Sequence, residues 1–353
     1  MFKLSPIAQR QLQRFRSFRR GYYSFIILCV IVVFSLFAEL WINNRALVVR
    51  YDGQWFFPTY SSVYTGDDFG LGYPYEVNYR ELKEILSKSE SGWVLMPLIP
   101  YGPNESVYQD EGFPPYPPQF QEQHYLGTDQ LGRDIMARLI YGFRIALGFS
   151  LVLMVLTYLL AILIGCAMGY FGGWMDLFGL RIIEIWSNIP FLYVVIILAS
   201  TIPPSVSPEY RIFALLIVMV LFNWVGMAYY MRTGSYREKA RDYVAAARVI
   251  GASPLRIIFR HLLPNIFSIV VTFIPFTVIS GITALTALDF LGFGIPPPTP
   301  SWGELLQQGS ERLNSPWIVS STFAAMVTVL ILVTFVGEAI REAFDPKKHA
   351  YYR

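Results

Sequence analysis

What the chain lacks narrows its class before anything else. Two cysteines occur in 353 residues; Cys29 and Cys166 sit in separate apolar runs, so neither a disulfide framework nor a thiolate metal site is suggested. The three histidines, His124, His261 and His349, are scattered, with no second ligand at useful spacing. No G-x-x-x-x-G-K-S/T phosphate loop occurs in the sequence, so any ATP must be handled by another polypeptide. No nucleophile–base arrangement marks a reaction centre. The expectation is a chain that is not an enzyme and binds no cofactor or metal.

Charge is scarce too. Charged residues make up 15% of the chain and apolar ones 54%, with mean hydropathy +0.42, far from a soluble domain with about 25% charged residues. The expected fold is an all-α polytopic membrane protein with about six spans of roughly 20 residues. They fall near 22–42, 145–169, 178–201, 210–232, 266–291 and 317–340. Arg181, Glu184 and Asn188 interrupt the third, and a charge at mid-bilayer costs about 2.5–3.5 kcal/mol. They are expected to face the bundle or the interface. Pro190 should kink that span, and a kinked, polar-interrupted helix either lines a path through the membrane or simply packs.

Positive charge sets the orientation. Lys3, Arg10, Arg14, Arg16, Arg19 and Arg20 open the chain without an acid, which by the positive-inside rule keeps this end in the cytoplasm. The basic region is long and no small-residue cleavage site follows, so an uncut anchor is expected rather than a signal peptide. With six spans both termini are cytoplasmic. The organisation read from the chain is a basic segment 1–21, a first span 22–42, an extracytoplasmic insert 43–144, a five-helix core 145–342 and a tail 343–353 with Lys347, Lys348 and Arg353.

The insert is acidic, with Asp52, Asp67, Asp68, Glu76, Glu81, Glu84, Glu90, Asp110 and Glu111, and too long for a connecting loop. Residues 79–88 are its one expected helix, with Leu82, Ile85 and Leu86 as the apolar face. It is either a lid that stabilises the outer face or a surface that touches substrate. Residues 126–147 alternate Asp129, Arg133, Asp134 and Arg138 with apolar residues, which reads as an amphipathic helix on the outer surface. A solvated charge ladder is the plain reading; a latch on an outer gate is the functional one. Asp176 is expected to cap the third span. Asp289, near the end of the fifth, is expected at the interface, with contact to a substrate amine as the alternative.

The loop 233–264 is the most informative stretch. It is polar and basic, with Arg237, Lys239, Arg241, Arg248, Arg256 and Arg260, yet lies between two apolar runs. Tyr243, Ala246, Ala247 and Ile250 fall on one helical face. Gly251 can end that helix in the left-handed conformation, and Ser253-Pro254 supplies a cap and a first residue for another. Leu255, Ile258, Phe259 and Leu262 line the second helix, and Pro264 closes or kinks it. A DNA-reading helix-turn-helix is excluded by the tether to two spans, and nucleic acid is not an expected partner. An interfacial loop and a docking element for a soluble partner both fit.

These residues carry a resemblance. Ala246, Ala247, Gly251, Leu263 and Pro264, with Tyr243, Ser253, Pro254 and His261 among them, resemble the cytoplasmic loop by which permeases of ATP-binding cassette (ABC) importers seat on their ATPases; the family's frequent glutamate is Ala245 here. LGTDQLGRD, GYFGGWMD, LDFLGFG with PTPSWGELL, and GEAIREAFDP follow the order found in second-permease subunits of dipeptide and oligopeptide importers. Arg20-Gly-Tyr and VRYDGQWFFP look like the YejE-type permeases, whose systems import oligopeptide-like cargo including microcin C. The resemblance implies a type I importer fold in the bacterial inner membrane. It also implies a paralogous permease, two ATPase subunits or one fused ATPase holding ATP and Mg, a periplasmic peptide-binding protein and a peptide substrate.

Overall fold

The computed structural model describes residues 6–89, 92–109, 112–203 and 206–344. Lys3, Glu90, Asp110, Glu111, the end of GEAIREAFDP, and the tail from 345 with Lys347, Lys348, His349 and Arg353 lie outside the described residues.

A short helix α1 (Pro6–Ser17) precedes α2 (Arg19–Leu36) and a single turn, α3 (Ala38–Trp41). The insert contributes strands β1 (Val48–Tyr51), β2 (Gln54–Phe56) and β3 (Gly92–Leu95), with α4 (Tyr79–Ser89) between the last two. Then come α5 (Ile135–Phe171), α6 (Gly173–Asn188), α7 (Phe191–Thr201) and α8 (Pro208–Lys239). The hairpin α9 (Asp242–Val249) and α10 (Pro254–Ile257) leads through a π turn into α11 (Leu263–Phe290), followed by α12 (Trp302–Glu311) and α13 (Pro316–Phe344).

Five of these helical stretches are long and apolar enough to cross a bilayer, or six if α6 and α7, bent by 72° at their break, count as one span. Helix packing decides that they do. Gly165 on α5 abuts the Ala228 carbonyl of α8, and Gly169 abuts the Arg232 carbonyl one turn further on. The two helices therefore run parallel, and the chain between them must return across the membrane. The spacing Gly165-x-x-x-Gly169 is what lets the backbones approach, since lipid supplies no hydrophobic drive and close packing must. By the same reasoning α11 runs antiparallel to α5, because Thr277 meets Tyr158 and Gly281 meets Ser150. Gly21 of α2 lies against Ala339 of α13. The start of α2, the α5–α6 turn, the α9–α10 hairpin and the end of α13 thus share one face. The insert, the α7–α8 turn and α12 share the other.

The insert is a small domain of its own. Its sheet has the order β2-β1-β3, antiparallel throughout, with Val49 opposite Phe56 and Val94. Val49, Val94, Phe69, Val77, Tyr79, Leu82 and Leu86 form its core. Helix α4 occurs where the sequence indicates, but Ile85 is exposed and Tyr79 takes the buried place beside Leu82 and Leu86.

Two boundaries differ from the sequence reading. No separate amphipathic helix ends the insert: α5 starts at Ile135 and runs unbroken past 144 for 37 residues, about 55 Å against a hydrocarbon core of about 30 Å. Its first turns project beyond the bilayer into the insert. Asp176 does not cap α6; that N-cap is Gly172. Asp176 instead holds Arg232 of α8 through both oxygens, at 2.5 and 2.6 Å, pinning the two helices at the hairpin face.

Candidate functional sites on the two faces

The hairpin between α8 and α11 is built by local chain chemistry. Gly251 has φ +81°; its N–H donates to the Arg248 carbonyl and that of Ala252 to Ala247, both at 3.0 Å. This pair of bonds is the Schellman stop, which satisfies the last carbonyls of α9. Ser253 Oγ then accepts from Arg256 N, and Pro254 occupies the first helical position, the usual start of a new helix. Beyond it the chain does not break at Pro264. Residues Ile258–Leu262 form a π turn in which Leu263 N donates to the Ile258 carbonyl, and the added residue lets the missing proline N–H pass without ending the helix. Pro264, exposed, therefore sits inside a continuous rod from Pro254 to Phe290.

The buried faces match the apolar pattern only in part: Ala247, Ile258 and Leu262 are buried as expected, Ile250 and Leu255 are not. Val244 and Ala247 of α9, and Ile257, Ile258 and Leu262 of the second helix, pack inward. Tyr243, Ala246, Ser253, Pro254 and Phe259 are exposed, and Leu263 and the His261 side chain are half-buried. Val249 is 89% exposed, Ile250 85% and Leu255 66%. The tip of the hairpin is thus an apolar knuckle ringed by Arg248, Arg256 and Arg260.

Its base is clasped. The Tyr243 hydroxyl lies 3.0 Å from Glu238 Oε2 and accepts from Asn265 Nδ2 at 3.2 Å, while Asn265 also donates to the His261 carbonyl at 2.7 Å. Burial and the Glu238 carboxylate push the Tyr243 phenol above its ordinary range. Arg248 lies over the Tyr170 ring at the end of α5. Glu238, Asn265 and Tyr170 carry no sequence signal for this role; only the fold brings them to Tyr243 and Arg248.

On the opposite face, the charges of residues 129–138 are a buried network rather than a solvated ladder. Asp129, Arg133, Asp134 and Arg138 are all nearly or fully buried. Asp129 accepts from the backbone N–H of Leu131 and Arg133 and from Arg133 Nε at 2.7 Å. Arg133 and Arg138 each reach one oxygen of Glu304 on α12, at 2.6 and 2.5 Å, and Arg138 also donates to the Pro103 carbonyl. Two guanidiniums and two carboxylates balance, which is what burial demands. Gln130 and Gln308 add a pair of bonds alongside. Asp134 stands apart from this group: it caps α5 through Ala137 N and holds His124 Nδ1 at 2.8 Å. His124 in turn stacks on Tyr101, 3.9 Å between ring centres, and burial pushes the Tyr101 phenol up to about 12.

Asp289, next to the last residue of α11, is buried within the protein. One oxygen accepts from Ile295 N at 2.6 Å and the other from Ser301 Oγ at 2.5 Å, so it pins the glycine- and proline-rich turn between α11 and α12. It also borders a cavity of about 220 Å³ with Arg211, Phe293 and Glu304 among its lining. Pro190 lies apart from both groups, exposed at the α6–α7 break as the N-cap of α7. No cluster of histidine, cysteine or carboxylates suited to a metal occurs among the described residues.

Six helical crossings, a hairpin slung between two of them on one face, and a folded insert joined to α12 on the other define a polytopic membrane protein. The family described as "binding-protein-dependent transport system inner membrane component" matches residues 161–350. The "inner membrane ABC transporter permease protein YejE" of Escherichia coli K12 is 41% identical over 350 residues, covering 99% of each chain. The "peptidoglycan transport system permease protein YejE" of Agrobacterium fabrum is 38% identical, covering 98% of this chain and 94% of its own. The "oligopeptide transport system permease protein OppC" of Mycobacterium tuberculosis H37Rv is 30% identical over 77% of this chain and 91% of its own. The chain belongs to this family: it is a multi-pass inner-membrane permease of the YejE type.

Proposed function

We propose that this chain carries peptides or peptide-like compounds inward across the bacterial inner membrane, its spans moved by ATP hydrolysis on partner subunits. The observation that carries the reading is the hairpin tip: Val249, Ile250 and Leu255 stand in solvent on a scaffold fixed by the Schellman stop and the Tyr243 clasp. Exposed apolar residues on a rigid mount are what a helix-in-groove contact needs, and the continuous rod from Pro254 to Phe290 carries any displacement of the tip straight into a span. The hairpin face is then cytoplasmic, with both chain ends on it, and the insert faces the periplasm. The partners are a paralogous permease, two ATPase subunits or one fused ATPase with ATP and Mg, and a periplasmic peptide-binding protein.

In this reading Asp129, Arg133, Glu304 and Arg138 latch the outer end of α5 to α12, and Asp134 and Asp289 hold the turns on either side. The names of the oligopeptide and peptidoglycan relatives favour cargo with a peptide backbone, including peptide stems of cell-wall fragments; a microcin C-type compound has the same backbone. A self-contained channel or secondary transporter is the rival. Purification of the chain from its native membrane tests the reading: ATPases that co-purify and hydrolyse ATP faster with peptide-loaded binding protein support it. A chain that moves peptide in proteoliposomes without them overturns it.

A further inference from the structure

Helix α1 belongs to neither of the sites described above. It carries Arg10, Arg14 and Arg16, and Arg19 and Arg20 follow at the start of α2, yet the first acid in the chain is Glu39. Ala8, Gln11, Phe15 and Phe18 recur at i, i+3, i+7 and i+10 and are half-buried, where α1 lies against α2 and α13. Arg10, Arg16, Arg19 and Arg20 are exposed. None of these four forms an ion pair among the described residues.

Two independent observations put these arginines in the headgroup layer. The first is a length. From Gly21 to Trp41 the chain covers about 31 Å as helix, against a hydrocarbon core of about 30 Å, so the crossing uses the whole of that run and leaves Arg19 and Arg20 at its rim. Tyr23, 60% exposed, and Trp41, 43% exposed, mark the two ends, as aromatic residues do at membrane interfaces. The second is a fold-back. The helix breaks at Phe18 (φ -82°, ψ 79°), and the Phe15 ring packs edge-to-face on Tyr22 and Phe25, with centres 6.3 and 5.7 Å apart. In an unbroken helix Phe15 and Phe25 would stand about 15 Å apart along the axis. Helix α1 is therefore folded over the first turns of α2, which brings Arg10 and Arg16 toward the layer that holds Arg19 and Arg20.

We propose that Arg10, Arg16, Arg19 and Arg20 form a binding surface for the headgroups of anionic phospholipids in the leaflet at the hairpin face. Charge and position select this occupant. Guanidinium groups match phosphate oxygens two at a time, and a cationic surface without an acid calls for net negative charge, which zwitterionic headgroups lack. The surface is also continuous with the lipid-facing side of α2, where Tyr23, Phe25 and Ile26 are exposed. Because α1 packs on both α2 and α13, bound headgroups tie the first and last crossings of the chain to the bilayer surface, whatever the cargo.

The test uses the assembled transporter in vesicles of phosphatidylglycerol and phosphatidylcholine. A trace of phosphatidylglycerol with a photoactivatable headgroup is the probe, and its attachment is mapped on this chain by mass spectrometry. Attachment within residues 6–20 is expected, displaced by unlabelled phosphatidylglycerol but not by added phosphatidylcholine or free glycerol phosphate. Arg10→Gln combined with Arg16→Gln should reduce it at least about five-fold, while Arg14, Arg19 and Arg20 keep the orientation of α2. Arg45→Gln combined with Arg50→Gln, on the insert, should leave it unchanged. The displacement arm needs no variant and decides the matter even if the double variant fails to assemble. Equal displacement by both lipids, displacement by glycerol phosphate, or attachment indifferent to Arg10 and Arg16 would overturn the proposal. So would Gln13→Cys, in a chain with Cys29→Ala and Cys166→Ala, that reacts with a water-soluble maleimide only after ATPase subunits are stripped away, since protein would then cover this face.

Discussion

Replacing Glu304 by glutamine keeps its shape and removes one of the two carboxylates that hold Arg133 and Arg138. Arg138 is fully buried, its Nε has no hydrogen-bond partner, and the next carboxylate, Asp129, lies 3.7 Å from that nitrogen. Removing one partner of a buried ion pair typically costs about 3–5 kcal/mol, because the remaining charge stays in low dielectric. Glu304 keeps 21% of its side chain exposed, so the lower end, about 3 kcal/mol, applies. The thermal midpoint of the purified complex should fall, and by more than for the exposed-pair control. Adding Arg138→Met restores the balance of charge around Asp129 and Arg133, and the double variant should regain at least about 1 kcal/mol over the sum of the single ones. The exposed pair Arg45–Glu76 is the control, since such pairs contribute about 0–1 kcal/mol. Strictly additive effects, or a Glu304→Gln shift no larger than the Arg45→Gln shift, would refute the buried network.

Gly251→Val meets no neighbour within 4 Å, so its only penalty is the φ of +81°, about 1–2 kcal/mol for a side chain in that region. Membrane insertion should be unchanged while peptide-stimulated ATP hydrolysis no longer drives uptake in vesicles. Gly165→Leu would drive a side chain into the Ala228 carbonyl and Met231, so α5 and α8 should separate and the complex should be lost on size-exclusion chromatography; Gly148→Leu, with open space around it, should assemble normally. Ser301→Ala deletes both a bond to Asp289 and the cap of α12 and should cost about 1–2 kcal/mol, measured as a lower thermal midpoint of the complex.

Five of the six crossings were legible because each is a long apolar run; the third is interrupted by Arg181, Glu184 and Asn188, and Pro190 marked its break because no helix hydrogen bond can be made at its nitrogen. The hairpin was legible as a motif, since Gly251 and Ser253-Pro254 act through local backbone chemistry. Its packing was legible only in part. Helical periodicity put Ile250 on one apolar face with Ala247, and Leu255 on another with Ile258 and Leu262; Ala247, Ile258 and Leu262 do pack against the bundle, joined by Val244 and Ile257, while Ile250 and Leu255 stand in solvent. The network around Arg133 and Arg138 read as a solvated ladder because alternating charge suits an exposed helix face. The residue that bridges both, Glu304, lies 171 and 166 positions away, a distance no local pattern spans. The insert's sheet was hidden by strands of only three and four residues, too short to display an alternation.

The chemistry of the hairpin tip decides the account. With Ile250→Cys in a chain free of other cysteines, a short bifunctional maleimide should join this chain to an ATPase subunit in the assembled transporter, and trapped nucleotide should change the yield. A purified, ATP-hydrolysing complex in which Ile250→Cys instead reacts freely with bulky water-soluble thiol reagents and never joins an ATPase would contradict it.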